Sequence, residues 1–310
     1  MLNCWEMEGT VIKSTGSWYL VRDASGAIHE CRIKGKIRLR GLDTTNPVAV
    51  GDRVTITTAE GAALITDIQP RENYILRKSV KKSKQGHMIA ANIDQAVLVV
   101  TVAWPRTSMG FIDRFLMSAE GFRVPQILLF NKQDMLKKKD IIKQEEFISI
   151  YSDIGIKCLK ITAETGEGLD EVRKVLEGKT NLIAGHSGVG KSTLLNQFDS
   201  RIGQKVSAVS DFSKKGAHTT TFAEMFTLWE NTFLIDTPGI KELGIIETEE
   251  YEIADYFPEM RSLRENCKYN NCLHDHEPGC AIKEAVTNGR VSELRYGSYL
   301  SILYNEDNRR

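Results

Sequence analysis

The 310-residue sequence predicts a multidomain protein with an N-terminal β-barrel, a central α/β domain and a C-terminal helical module. Three observations carry this prediction. Short segments of alternating polarity fill the first 70 positions, apolar strands alternate with helical segments from Asn92, and a Cys/His cluster lies near the C-terminus. A chain of this length can form two or three separate cores.

Residues 1–70 are predicted to form a small barrel. Segments such as GTVIKSTGSWYLVRD and GDRVTITTA alternate apolar and polar residues, are separated by Gly, Asp and Asn, and show no helical periodicity. Residues 71–91 are basic, contain Gly and have little apolar periodicity, which is typical of a linker. We therefore expect a barrel followed by a basic linker.

The segment CRIKGKIRLR carries a basic residue at every second position. On a strand these cations share one face, and because like charges repel each other there, we expect an anionic partner such as RNA. A formal net charge of zero argues against a generic nucleic-acid binder, so this prediction rests on the local pattern. The predicted RNA-binding residues are Arg32, Lys34, Lys36, Arg38 and Arg40.

Composition and the N-terminus indicate a cytoplasmic protein with no membrane partner. The apolar fraction is 41% and the charged fraction is 26%, as in soluble globular proteins. The N-terminal sequence MLNCWEMEGT lacks a basic region followed by an apolar run. The most apolar stretch, residues 96–104, is too short to span a bilayer.

Residues 92–246 are predicted to form a parallel sheet with helices on both faces. The apolar strands AVLVVTVA, PQILLF, KCLKIT and NLIAG alternate with helical segments, and MFTLWENTFLID adds two strands joined by a polar turn. Residues 247–310 complete the chain as a separate helical module. The helices of the central domain are predicted to begin near Phe111, Asp140, Leu169 and Gly190.

A phosphate-binding loop is predicted at GHSGVGKS, which fits GxxxxGKS between the strand NLIA and the helix KSTLLNQF. Its glycines let the backbone wrap around phosphate, so that N–H groups point at the anion. We expect Lys191 to contact the β- and γ-phosphates and assist catalysis, and the Ser192 hydroxyl to bind Mg²⁺. The predicted contacts of this loop are Gly185, His186, Ser187, Gly188, Val189, Gly190, Lys191, Ser192 and Thr193.

Two later loops are predicted to respond to the γ-phosphate. In DTPG, the Asp236 carboxylate can reach the metal through water, and the Gly239 N–H can contact the γ-phosphate. In GAHTTT, Thr220 is the preferred Mg²⁺ ligand, with Thr219 and Thr221 as alternatives. A polar loop with no ligand role is the remaining interpretation of GAHTTT.

Two loops at strand ends are predicted to read a guanine base. In NKQD, the Asp134 carboxylate can accept both N1–H and N2–H of guanine, donors that adenine lacks, while the stem of Lys132 packs over the base. In TAETGEG, the Ala163 N–H can donate to the guanine O6. Asn131 and Thr162 complete the predicted nucleotide contacts, which favour GTP and GDP over an ATPase or kinase function.

The order of these motifs predicts a circular permutation. The base-reading loops precede the phosphate loop, whereas an ordinary GTPase has the phosphate loop first. Nucleotide contacts depend on where the loops lie around the sheet, so cutting and rejoining surface connections can leave the site intact.

A zinc site is predicted in the C-terminal module from the spacing CxxxxCxHxxxxxC. Three thiolates and an imidazole complete a tetrahedral structural site, with no open position for catalysis. We expect one Zn²⁺ per chain. His276 is a competing ligand by type but ranks below the four predicted ligands, Cys267, Cys272, His274 and Cys280.

The position after DTPG predicts slow intrinsic hydrolysis. Many GTPases have a glutamine there that orients the attacking water, but this chain has Ile240. His218, in GAHTTT, is the nearest polar residue that can orient water once a partner orders the loop. A loop histidine without a catalytic role is an equally good interpretation.

The motif order resembles that of the circularly permuted ribosome-biogenesis GTPases of the RsgA (YjeQ/YloQ) family. The resemblance rests on IAANIDQ, NKQD, TAETGEG, GHSGVGKS, GAHTTT, DTPG and the Cys/His cluster, and it covers nearly the whole chain. It implies an OB-type barrel, binding to the small ribosomal subunit and its rRNA late in assembly, and hydrolysis stimulated by the subunit. We expect a monomer. An RNA-remodelling module in which nucleotide is only an allosteric ligand is the alternative.

Overall fold

The computed structural model describes residues 5–34, 47–59, 62–77, 87–202, 223–236 and 249–306. The chain divides into two compact units, each built from several stretches of sequence. The first unit comprises residues 1–97, 170–185 and 191–244, and the second comprises residues 98–169, 186–190 and 245–310.

The N-terminal barrel has five strands: β1 (Trp5–Ser14), β2 (Tyr19–Asp23), β3 (Ile28–Ile33), β4 (Arg53–Ala59) and β5 (Ala62–Ile68). They pair in the order β1-β2-β3-β5-β4, and β4 also pairs with β1, which closes the sheet. The predicted OB-type barrel is confirmed. The buried side chains of its core are Val11, Tyr19, Val21, Cys31, Val48, Val54, Ile56 and Ile65.

The segment predicted as a linker contains two strands that the sequence pattern did not predict. They are β6 (Tyr74–Arg77) and β7 (His87–Ala91), and they pair antiparallel. Ile75 and Met88 are buried, but strands of four and five residues contain too few alternations to stand out from their polar surroundings.

The strands of the central domain are β8 (Gln95–Val100), β9 (Gln126–Phe130), β10 (Lys157–Lys160), β11 (Thr180–Ala184), β12 (Glu224–Trp229) and β13 (Thr232–Asp236). In the first unit the order is β8-β11-β13-β12, with β11 and β13 parallel. There β12 pairs with β1 of the barrel, and Lys13 forms an ion pair with Glu224 at 3.0 Å. In the second unit the order is β10-β9-β8, with β9 and β10 parallel. The first half of β8 belongs to the first unit and the second half to the second unit.

Four helices of the central domain begin within two residues of the predicted positions: α1 (Met109–Gly121), α2 (Lys138–Asp153), α3 (Leu169–Leu176) and α4 (Lys191–Phe198). The C-terminal module contains a 3₁₀ turn (Glu250–Tyr256), α5 (Pro258–Arg264), α6 (Ala281–Thr287) and α7 (Glu293–Leu303). Within the described ranges, every helix falls short of the length and apolar character needed to cross a membrane.

Candidate nucleotide and metal sites

The phosphate loop connects β11 to α4, as predicted. In the first unit, Ile183 of β11 lies in parallel register with Asp236 of β13, so this carboxylate lies at the strand end from which the loop begins. Asp236 is buried, with 7% of its surface exposed. The arrangement brings an acidic oxygen donor to the start of the phosphate loop.

Lys191 lies at the first position of α4, and its Nζ donates a hydrogen bond to the Gly185 carbonyl at 2.5 Å. Burial lowers the pKa of this ammonium group, and the negative charge of Asp236 offsets part of that effect. An anionic phosphate near Nζ would stabilise the charged form further. The environment of Lys191 therefore favours an anion.

Asn131 is a buried residue whose side chain hydrogen-bonds two other loops of the second unit. Its Nδ2 donates to the Val189 carbonyl of the phosphate loop at 2.8 Å, and its Oδ1 accepts from the Ala163 N–H at 2.9 Å. One side chain thus joins the NKQD, TAETGEG and phosphate loops. The sequence predicted Asn131 as a nucleotide contact but contains no local signal for this bracing role.

Gly190 shows how closely these loops approach each other. Its φ is +98°, and a Cβ atom added there would lie 2.3 Å from Nδ2 of Asn131. Any other residue would be strained in this left-handed conformation and would also displace the asparagine amide. The close approach of the Asn131 amide therefore requires glycine at the second glycine position of GxxxxGKS.

Lys132 and Asp134 follow β9 in a short, sharply turned segment. Lys132 has a left-handed backbone with φ of +67°, and its Nζ donates to the Trp104 carbonyl at 2.7 Å. Asp134 lies in a 3₁₀ turn (Gln133–Met135) and is exposed. Its carboxylate is accessible to a ligand. The Trp104 loop has no motif that would have predicted its position.

The TAETGEG loop is closed by Thr162 and Glu167. The Thr162 N–H donates to the Glu167 carbonyl at 3.0 Å, and its hydroxyl donates to the Glu167 carboxylate at 3.3 Å. The Ala163 N–H, which the sequence assigned to the guanine O6, donates to Asn131 in this structure. Its base-reading role stays a prediction.

The two loops predicted to respond to the γ-phosphate, GAHTTT and DTPG, are here called the switch loops. Four residues in or directly after these loops lie outside the described residues, so their roles stay predictions. They are His218, Thr220, Gly239 and Ile240.

The four predicted zinc ligands lie together in the second unit, with their ligand atoms within 4.8 Å of one another. Sγ of Cys267 and Sγ of Cys280 are each 3.5 Å from Nδ1 of His274. Tetrahedral bonds of about 2.3 Å to sulfur and about 2.0 Å to nitrogen would separate these atoms by about 3.5 Å, so the cluster fits such a centre. His276 lies outside the cluster, and its side chain is 91% exposed.

The surroundings of the cluster hold His274 in place and suit a cation. His274 is fully buried with φ of +59°, and its carbonyl accepts a hydrogen bond from the Tyr296 hydroxyl at 2.6 Å. Burial lowers the pKa of its imidazole, which favours the neutral form that binds metal. Burial also raises the pKa of Cys272 to about 12, so its thiolate needs a nearby cation.

The basic surface of the barrel is described only in part. Arg32 and Lys34 are exposed, and the Arg32 guanidinium lies 3.9 Å from the centre of the Trp18 ring. β3 ends at Ile33, so the predicted strand is confirmed for its first part only. Lys36, Arg38 and Arg40 lie outside the described residues.

Comparison with known proteins decides the family. Residues 68–246 match the model of the RsgA GTPase family, and residues 8–65 match that of the RsgA N-terminal domain. The chain belongs to the RsgA GTPase family. As a member of this family it is a P-loop GTP hydrolase with a circularly permuted motif order, which confirms the predicted enzyme class.

Relatives of the family resemble the chain over nearly its whole length. The small ribosomal subunit biogenesis GTPase RsgA of Bacteroides fragilis is 51% identical over 302 residues, which is 97% of both chains. The RsgA of Flavobacterium johnsoniae is 48% identical over 97% of this chain and 94% of its own.

Two solved structures share the fold. The crystal structure of YjeQ from Thermotoga maritima matches with a TM-score of 0.78 and 33% identity over 99% of this chain and all of that one. YloQ, described as a circularly permuted GTPase, matches with a TM-score of 0.74 and 28% identity, covering 99% of this chain and 96% of its own.

Proposed function

We propose that this protein acts as a monomer in late assembly of the small ribosomal subunit in the cytoplasm, binding the subunit's rRNA and hydrolysing GTP faster when bound. The observation that carries the proposal is the 51% identity to an RsgA named for small-subunit biogenesis, which extends through the barrel and the Cys/His module. Similarity in the GTPase domain alone would support only nucleotide hydrolysis.

The proposed nucleotide site has a base-reading side and a phosphate side. Asp134 accepts the N1–H and N2–H of guanine, and the stem of Lys132 covers the base. Lys191 contacts the β- and γ-phosphates, and the N–H groups of the phosphate loop surround the anion. Within the second unit, Asn131 donates a hydrogen bond to the Val189 carbonyl of the phosphate loop, which supports a shared role for the NKQD and phosphate loops.

The RsgA GTPase family implies Mg²⁺ together with GTP, and the residues present suit it. The Ser192 hydroxyl and the buried Asp236 carboxylate are hard oxygen donors of the kind that Mg²⁺ prefers, with Asp236 acting through water. Thr220 and Gly239 complete the proposed γ-phosphate contacts from the switch loops. When bound, Mg²⁺ neutralises part of the phosphate charge.

The proposed metal of the Cys/His cluster is Zn²⁺ in a structural role. Three sulfur donors and one nitrogen donor suit zinc, and four protein ligands leave no position for a substrate. Cys272 and Cys280 also belong to the apolar core of the C-terminal module, so the metal would stabilise that core directly.

We expect freshly purified protein to contain about one Zn²⁺ per chain, and Cys272→Ser to lose most of it. The substitution should lower the melting temperature of the C-terminal module. Nucleotide affinity, measured well below that temperature where the module is still folded, should stay nearly unchanged. Metal analysis and thermal unfolding measure both effects. His276→Ala is the matched control, because this histidine is exposed beside the cluster. Zinc-free wild-type protein, or equal loss in His276→Ala, would contradict the assignment.

The barrel is proposed as an RNA-binding surface. Arg32 and Lys34 are exposed cations, and Trp18 beside Arg32 offers an aromatic face that is 39% exposed. Cations contact phosphates, while an aromatic ring can stack on an unpaired base.

The experiment that tests the proposed function is co-sedimentation with purified small subunits across a range of salt concentrations. Replacing Lys34, Lys36 and Arg38 with Gln should weaken binding and reduce the log–log salt slope by about 0.7 to 0.9 for each phosphate that is no longer neutralised. Replacing the exposed residues Lys138, Lys139 and Lys157 with Gln makes the same charge change on other elements and should have little effect. Failure of the wild-type protein to bind subunits in any nucleotide state would overturn the proposal.

A further inference from the structure

A buried ion cluster lies in the second unit, outside the predicted nucleotide-binding motifs and the Cys/His cluster. Arg295 of α7 contacts Asp113 of α1 at 2.6 Å through Nη1. It also contacts both carboxylate oxygens of Glu259 of α5, at 2.8 Å and 3.1 Å. The side chains of Arg295, Asp113 and Glu259 are 3%, 0% and 10% exposed. The cluster therefore ties α1 of the GTPase domain to two helices of the C-terminal module.

Stability alone does not require such a cluster. Burying charges has a large desolvation cost, and apolar side chains of similar volume often stabilise a core as well or better. What the cluster adds is defined geometry, because the planar guanidinium bonds two carboxylates in fixed directions. The Tyr151 hydroxyl donates to the same oxygen of Asp113 at 2.8 Å, which fixes that carboxylate further.

One face of α1 is the docking surface for the C-terminal module. Asp113, Met117 and Glu120 are spaced by four and three residues, so they share a helix face. Met117 lies in the apolar core of the C-terminal module, and Glu120 forms an ion pair with Arg261 at 2.8 Å. A shift of the module relative to the GTPase domain would therefore act on α1.

The first turn of α1 contacts the phosphate loop. The rings of Phe111 and His186 have centroids 3.7 Å apart and an interplanar angle of 32°. Phe111 is 6% exposed, and its N–H donates a hydrogen bond to the Ser108 hydroxyl, which caps the helix. Because Phe111 and Asp113 lie two residues apart on one helix, the position of one constrains the other.

We propose that Arg295 is a positioning residue for the phosphate loop. Through Asp113 it fixes α1 against the C-terminal module, and through Phe111 the helix fixes His186 of the phosphate loop. A partner that moves the C-terminal module would thereby change nucleotide affinity. The inference rests on the proposed nucleotide-binding role of the phosphate loop and adds a route by which another domain controls it.

The test compares GTP and GDP affinity, measured by titration with fluorescent nucleotide, in full-length variants well below their melting temperatures. Arg295→Met removes the charge at similar volume, and Phe111→Leu leaves the ion cluster intact. Each substitution should weaken nucleotide binding about 3- to 30-fold. The loss of affinity in the double variant should be smaller than the product of the two single losses, because both substitutions act through the position of α1. Phe111→Tyr, which keeps the ring, should retain wild-type affinity.

Arg261→Met is the matched control. It removes the ion pair between Arg261 of α5 and Glu120 on the same face of α1, but the Arg261 side chain is 53% exposed, so this pair should contribute little. The substitution should leave affinity within about twofold of wild type. Zinc content and melting temperature are measured in parallel. If Arg295→Met does not fold, Arg295→Lys keeps the charge without the two-oxygen contact and carries the same expectation.

A lowered melting temperature with unchanged affinity in Arg295→Met or Arg295→Lys would mean that the cluster is only structural, and would overturn the inference. Unchanged affinity in Phe111→Leu would overturn it as well. A wild-type protein that binds no guanine nucleotide would instead overturn the proposed function, so the two failures are distinguishable.

Discussion

Asp134→Asn should weaken GTP binding about 100-fold or more and shift preference to xanthosine triphosphate. The carboxylate is expected to accept two hydrogen bonds from guanine, each worth about 1.5 to 3 kcal/mol because the acceptor is charged. In Asp134→Asn, the asparagine amide N–H would face an N–H donor of guanine, so no hydrogen bond forms there. The C2 carbonyl of xanthine can accept a hydrogen bond from the same amide N–H. Nucleotide competition binding measures the reversal.

Asp134→Asn should change the contact with the base without disturbing the fold. Asp134 is exposed in its 3₁₀ turn, while the buried Asn131 and not Asp134 holds the loop in place. The fold should therefore tolerate the change. Asp153→Asn, an exposed aspartate at the end of α2, makes the same chemical change as a control. Unchanged preference for GTP in Asp134→Asn would remove Asp134 from the base-reading site.

The small subunit should accelerate GTP hydrolysis by several orders of magnitude, and His218→Ala should remove most of that acceleration. The Ile240 side chain cannot orient water, so we expect a loop ordered by a partner to do so. In other GTPases, a catalytic group supplied by a partner raises the rate by about 10³ to 10⁵. Single-turnover hydrolysis with and without subunits measures both rates. The intrinsic rate and GTP affinity of His218→Ala should stay near wild type.

His276→Ala controls for loss of a histidine elsewhere, since His276 is exposed outside the metal cluster. If acceleration survives His218→Ala, the water must be oriented by the subunit or by backbone groups. The catalytic assignment of His218 would then be wrong, and the GTPase itself would stand.

The features predicted well from the sequence are those with local patterns. The helices of the central domain begin within two residues of the predicted positions, and each predicted base-reading or phosphate motif follows a strand. Both could be predicted because apolar periodicity and turn residues are visible within a few positions of sequence. The four Cys/His residues that the spacing predicts as zinc ligands lie together. The ranking of His274 above His276 is supported by their burial, since only His274 is buried.

The features missed are interactions between distant parts of the chain. Arg295 and Asp113 are separated by 182 residues, and the Val189 carbonyl lies 58 residues from Asn131. No periodicity within a window of sequence reports such pairs. Asp113 does leave one local sign, a charged residue inside the apolar run GFIDRFLM, where a buried partner is required.

Phosphate release by the wild-type protein, with GTP and with ATP and each with and without purified small subunits, tests most directly whether this protein is a GTPase activated by the small subunit. We expect slow release from GTP alone, a large acceleration when small subunits are added, and no acceleration with ATP. Rapid GTP hydrolysis that is indifferent to small subunits, or equal acceleration with ATP, would contradict this expectation.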